Sequence, residues 1–227
     1  MKRDRRSLFS TSTLVLAAAG LGLGASLPLP ASSQTFRQAG AGVPNPAADA
    51  PTTSPDPDLE IRHEVHYYPV EGATASALRA GLAASGPKDR RTGRRYAGLT
   101  EYRLAWRFSY AVVNENCAIT NVTATLALTQ LYPHWAPGPR TSKRLHRKWQ
   151  RYMTALTRHE DDHARTAVRG GLGLLHAIRA LEPRSSCEEL AASARQEFSR
   201  AIAGTNIELS LADAFTGHGR SDGVRLP

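Results

Sequence analysis

From Leu59 to Val70 apolar and polar residues alternate, with Ile61, His63, Val65 and Tyr67 on one side. This period of two predicts a β-strand, which Pro69 is expected to end. Thr74 to Ser85 reads as a short helix, opened by a Thr cap and closed at Gly86-Pro87. The clearest alternation follows. Tyr102, Leu104, Trp106, Phe108, Tyr110 and Val112 share one face, and Arg103, Arg107 and Ser109 lie opposite, as in a half-buried antiparallel strand. Asn114-Glu115-Asn116 supplies turn residues, and Val122, Ala124, Leu126 and Leu128 begin a returning strand that runs to Pro133.

Beyond that point the period changes from two to three or four. Leu145, Trp149, Tyr152 or Met153, Leu156, His159, His163 and Ala167 mark one helix face, and no proline falls between Arg140 and Glu182. Gly170, Gly171 and Gly173 either weaken this helix or let another backbone approach it closely. Ser186-Cys187-Glu188-Glu189 is a capping box opening a further helix that carries Leu190, Ala194, Phe198 and Ile202. The tail from Asn206 to Pro227 contains Thr216-Gly217-His218-Gly219, a turn by its flanking glycines. Strands preceding helices predict an α+β fold, a small antiparallel sheet followed by a helical half.

Three regions follow from composition. Residues 1–33 read as a secretory signal peptide: Lys2, Arg3, Arg5 and Arg6, then an apolar run through Leu14 to Ala19, then a small-residue cleavage site at Ala31-Ser32-Ser33. Gly20, Gly22, Gly24, Pro28 and Pro30 break the run, so a permanent membrane anchor is not expected. Residues 34–58, rich in Pro, Ala, Ser and Thr, read as a disordered linker that cannot bury enough surface to offset ordering entropy. Residues 59–227 are long enough for one domain with a proper core. The chain is therefore expected in the periplasm or outside the cell.

The formal charge of +9 includes three units from the first six residues, which leaves +6 after cleavage. Basic residues cluster at Lys88, Arg90, Arg91, Arg94 and Arg95, and again at Arg140, Lys143, Arg144, Arg147, Lys148 and Arg151. In an exported protein these favour an anionic envelope surface or acidic substrate over nucleic acid; the alternative is a merely solvated basic face. Cys117 and Cys187, an even pair in an oxidising compartment, suggest one disulfide. A mixed Cys/His metal site is the weaker alternative, because neither Cys has a ligand partner at metal-site spacing.

The chemistry centres on His159-Glu160-Asp161-Asp162-His163, an HExxH motif. On a helix, i and i+4 share a face, so both imidazoles can address one ion, and Glu160 can act as general base on a water there. Two neutral imidazoles suit Zn2+. Chance alone would place the motif in roughly one of 75 chains of this length and composition. The bland alternative is a pair of core histidines in a charged helix. Asp161 and Asp162 keep it open, and both are expected to point away from a metal, towards solvent or a second layer of contacts.

A catalytic zinc usually needs three protein ligands. The position six residues after His163 is Arg169 rather than His. Glu182, Glu188 and Glu189 are further options, and His176 lies too far along the helix. His218, in its glycine-flanked turn, is the preferred third ligand; otherwise it is a solvated His in a frayed tail.

The pattern resembles a family of bacterial predicted secreted zinc-dependent proteases catalogued as a domain of unknown function. The resemblance rests on Gly86-Pro87, Trp106, Cys117, Leu131 to Trp135, Trp149, His159-Glu160, His163, Ser186-Cys187, Leu190 and the segment from Asp213 to Gly219. It implies His218 as third ligand, with Asp213 and Thr216 supporting it. Ala212 departs from the family's Tyr, which puts an oxyanion-stabilising phenol in doubt. The expectation is an exported zinc metallopeptidase acting on a peptide or envelope-protein substrate, with Glu160 as base. A non-catalytic, metal-containing envelope module is the alternative.

Overall fold

A computed structural model describes residues 51–89 and 93–226. The proposed signal peptide and most of the linker lie outside the described residues. The elements are β1 (Leu59–Val70), α1 (Ala75–Ser85), β2 (Leu99–Val113), β3 (Asn116–Trp135), α2 (Lys143–Arg179) and α3 (Cys187–Thr216). Three strands in the order β1-β3-β2 precede a helical half, so the fold is α+β. The sheet is mixed rather than purely antiparallel. β2 and β3 form the expected hairpin, but β1 runs parallel to β3, with Leu59 opposite Ala124 and Val70 opposite Trp135. Alternation within a strand does not encode the direction of its neighbour.

Val113 and Asn116 are joined by the two-residue loop Asn114–Glu115, both residues having positive φ (49° and 64°). That backbone twist matches the twist of the flanking strands. β3 does not stop at Pro133 but continues to Trp135. Pairing with β2 ends at Leu131, so Pro133 has a strand on one side only and its missing N–H is tolerated. Contacts also begin before Leu59, because Arg179 near the end of α2 grips both Asp56 and Asp58.

α2 is one continuous helix of 37 residues, capped by the Ser142 hydroxyl accepting from Leu145 N. Its glycines do not break it; Gly170 and Gly171 instead admit neighbours. A Cβ on Gly170 would sit 2.1 Å from Thr205 Oγ1 of α3. Towards its C-terminus α2 packs Ala164, Ala167, Val168, Leu174 and Ile178 with the sheet residues Leu104, Trp106 and Leu126 and with Phe198 of α3. Towards its N-terminus Leu145, Trp149, Tyr152, Met153 and Leu156 meet Tyr68, Leu82, Tyr132 and Trp135. The HExxH segment lies between these two apolar clusters, held rigidly from both ends.

α3 begins as expected, with Ser186 Oγ accepting from Glu189 N, a cap of about 1 kcal/mol. It runs eleven residues further into the presumed tail than its apolar pattern indicates, ending at Thr216. Ile207, Leu211 and Phe215 recur every four residues there, but on a different face from the Leu190 to Ile202 stripe, and all three are exposed. Cys117 and Cys187 are bridged, tying the start of β3 to the start of α3. The loop model assigns roughly 4 kcal/mol to such a closure. The double Cys117→Ser/Cys187→Ser variant is expected to lose about 2–4 kcal/mol in urea denaturation. An unchanged midpoint would show that the bridge adds nothing.

Candidate metal centre

His159 and His163 project from one face of α2, as i, i+4 geometry requires. Their Nε2 atoms lie 3.1 Å apart, and the rings meet edge to face. The last turn of α3 adds Asp213. Its Oδ1 stands 3.1 Å from His163 Nε2 and 3.3 Å from His159 Nε2. These three residues are a group able to hold a metal ion. The fit can be checked. Ligand distances of about 2.0–2.1 Å around a tetrahedral ion put neighbouring donors about 3.3 Å apart. The observed triangle has that size, and its donor chemistry, two imidazoles and a carboxylate, suits zinc.

His218, the expected third ligand, stands one step further out, its Nδ1 3.5 Å from the same Asp213 oxygen. Asp213, expected behind the ligands, is itself at the convergence point. The loop that carries His218 is closely specified. Gly217, His218 and Gly219 all have left-handed φ (57°, 58° and 75°). A Cβ on Gly219 would come within 2.5 Å of Val224 and 3.1 Å of the His159 ring. The Thr216 hydroxyl hydrogen-bonds none of the converging groups. It donates to Ala212 O and accepts from Gly219 N, so it fixes the turn that places His218.

Glu160 is buried, and its Oε2 accepts from the Thr100 hydroxyl at 2.8 Å. Gly98 lies against it, where a Cβ would be 2.7 Å from Oε1. A side chain there would push the carboxylate off its position. Burial raises the Glu160 pKa, opposed by the nearby histidines and Thr100. Burial also works against charge on His159, but the hydrogen bond it donates to Asp213 and the field of Glu160 outweigh it, and its pKa is raised. For Asp213 burial is likewise outweighed, by hydrogen bonds with His159 and His163, and its carboxyl sits well below the usual carboxylate range.

These groups form part of the lining of an open cleft of about 830 Å³ between the start of β2 and the end of α3. Tyr96 is also in the cleft, its ring 4.8 Å from that of His218. Of the two aspartates inside the motif, Asp162 faces solvent and pairs with Arg165. Asp161 does not. It is buried and accepts from Gln130 of β3, which in turn bonds His63 of β1. The motif helix is thereby keyed to the sheet beneath it. Glu182, Glu188 and Glu189 are not among the converging groups.

Two contributors were not legible in the sequence. Thr100 lies sixty positions from Glu160 in an ordinary strand pattern and carries no signal. Asp222, whose Oδ2 is 3.4 Å from His159 Nδ1, lies four residues beyond His218 in the same loop. A carboxylate behind a ligating imidazole fixes its tautomer and orientation, and an acidic residue so close to His218 was the available hint.

No curated protein and no solved structure matches the chain. A family model described as a bacterial protein of unknown function (DUF922) matches residues 65–219, from within β1 through the Gly217–Gly219 turn, and the chain belongs to that family.

Proposed function

We propose that this chain is an exported, zinc-dependent hydrolase of peptide bonds. The observation that carries the reading is the triangle of His159 Nε2, His163 Nε2 and Asp213 Oδ1, with edges of 3.1–3.3 Å. It lies in an open cleft beside a buried glutamate. The three residues would hold the ion, and His218 would steady the Asp213 carboxylate. A bound zinc polarises a carbonyl and brings the pKa of a water down to about 7. Glu160 takes a proton from the attacking water and passes it to the leaving amine, and its raised pKa suits it to carry that proton. Thr100 holds the carboxylate in place. With Ala at position 212, Tyr96 is the phenol assigned to the developing oxyanion. The cleft is open to a large substrate, and export would put envelope proteins within reach.

The test begins with metal. Elemental analysis of the purified chain is expected to find one zinc per molecule. Zinc must displace the proton that His159 holds more tightly than an ordinary imidazole. Affinity should therefore rise with pH until it passes the raised His159 pKa, by at least about tenfold per unit below it. Asp213 stays ionised throughout and adds no slope. In the metal-free chain the sign is opposite: the proton on His159 contributes stability at low pH that is lost as pH rises through its folded pKa. Competition titrations against a chelator from pH 5.5 to 8 read the slope. Absence of zinc, or an affinity flat across that range, would defeat the assignment. A chain that holds zinc yet cuts nothing across a broad peptide library would favour a non-catalytic envelope module.

A further inference from the structure

The C-terminal loop borders two hollows. It contributes His218, Arg220 and Val224 to the catalytic cleft, and Asp222, Gly223 and Arg225 to a second, open groove of about 600 Å³ along the first half of α2. Arg147, Lys148, Arg151 and Arg158 line that groove from the helix, and Arg225 joins them from the loop. Asp222 is the single carboxylate in its wall, and its Oδ2 is directed at His159. Among the described residues none of the five cations is ion-paired. Part of this cluster is visible in the sequence as a basic run. Its arrangement is not, because Arg158 and Arg225 join it only through the helix and the returning loop.

Residues 147, 151 and 158 fall on one helix face, and from Arg147 to Arg158 the row extends about 16 Å at 1.5 Å per residue. Like charges held side by side without partners repel, and an anionic ligand removes that cost. Its chemistry is constrained by charge and shape. Five cations against one carboxylate leave four positive charges, too many for a single carboxylate ligand. A phosphate ester carries about −1.5 to −2, so two of them match the groove. The planar guanidinium fork also pairs with phosphate through two parallel hydrogen bonds. We propose that this groove binds a ligand bearing two or more phosphate groups, laid along α2 with one phosphate on Arg147 and Arg151 and another on Arg158 and Arg225. A soluble phosphorylated sugar and a cluster of phospholipid headgroups, whose diesters carry one charge each, both offer the phosphate oxygens that the guanidinium forks address.

The probe is fructose 1,6-bisphosphate, titrated calorimetrically into chelator-treated protein so that no metal contributes. Fructose 6-phosphate and inorganic sulfate serve as comparisons. The bisphosphate is expected to bind at least about tenfold more tightly than the monophosphate. Arg151→Gln/Arg158→Gln should weaken it by a further factor of about ten or more. Lys143→Gln/Arg144→Gln removes the same charge from the same helix outside the groove, and should change affinity less than about twofold at physiological salt. All four substituted side chains are exposed, so folding is retained, and a melting curve for each variant checks this. Equal binding of every anion, or equal weakening by both double variants, would reduce the groove to diffuse surface attraction and overturn the proposal. Sedimentation with phosphatidylcholine vesicles, with and without phosphatidylglycerol, then identifies the source. Retention lost in Arg151→Gln/Arg158→Gln assigns the phosphates to lipid, and no retention assigns them to a soluble ligand. Binding here requires neither zinc nor hydrolysis, so its failure leaves the hydrolase reading intact.

Discussion

Glu160→Gln is expected to lower hydrolysis by about 10²–10⁴-fold, the range that follows loss of a general base, while leaving zinc content at the wild-type level. Two features of the site separate these effects. Glu160 is not one of the converging groups, so the ion keeps its donors. The amide oxygen of Gln can still accept from Thr100, which now bonds Oε2 at 2.8 Å, so the side chain keeps its place. What is lost is the ability to take and release a proton. Thermal stability should hold or rise slightly, because Glu160 is a buried carboxyl whose charge burial disfavours. A peptide library digest, with elemental analysis on the same sample, reads both quantities. Undiminished cleavage by Glu160→Gln would exclude the mechanism.

The second large effect concerns which residue completes the metal site. Asp213→Ala should reduce zinc affinity by more than about a hundredfold, since a ligand disappears. His218→Ala should cost only about ten- to a hundredfold, the range for a residue supporting a ligand. The distances motivate this order: Asp213 Oδ1 completes the triangle, and His218 stands 3.5 Å behind it. The reverse order, with His218→Ala the more damaging, would restore His218 as third ligand and return Asp213 to a supporting role. Thr216→Ala is a useful companion. It frees the 217–219 turn without removing a donor, and should resemble a mild His218→Ala.

The family match spans this site without naming its chemistry. It covers the HExxH segment and the Asp213 to Gly219 segment together. It thus includes both halves of the triangle. No helix among the described residues is long and apolar enough to cross a membrane.

The elements themselves were readable because they depend on local periodicity. Period two marked all three strands, period three to four marked α2, and Thr74 and Ser186 announced helix starts that the structure retains. The metal-facing pair was equally local. Two histidines four residues apart on a helix converge whatever the rest of the chain does, and the disulfide was suggested by an even pair of cysteines in a chain read as exported. The direction of β1 was not local. It depends on β2 starting, after α1, at the same end of the sheet where β1 finishes but one strand further over, so that β3 returns into the gap parallel to β1, and alternation is the same in either direction. The length of α3 was hidden for another reason. Its last turns expose Ile207, Leu211 and Phe215, so the apolar stripe that normally reports a core gave no guide to where the helix ends.

The sequence by itself determined the α+β order, the helix carrying HExxH, the two imidazoles on its inner face and the glutamate beside them. Only the tertiary structure decided what meets them. It brings Asp213 from α3 to the two imidazoles, sets Thr100 from β2 against Glu160 and folds Asp222 behind His159. It also joins Arg225 to the cations of α2. The physical reason is distance along the chain. Contacts within one helical turn are set by 1.5 Å of rise and 100° of rotation per residue. Contacts across fifty or more residues are set by how the cores on either side of α2 pack and by where the left-handed turn after Thr216 sends the chain.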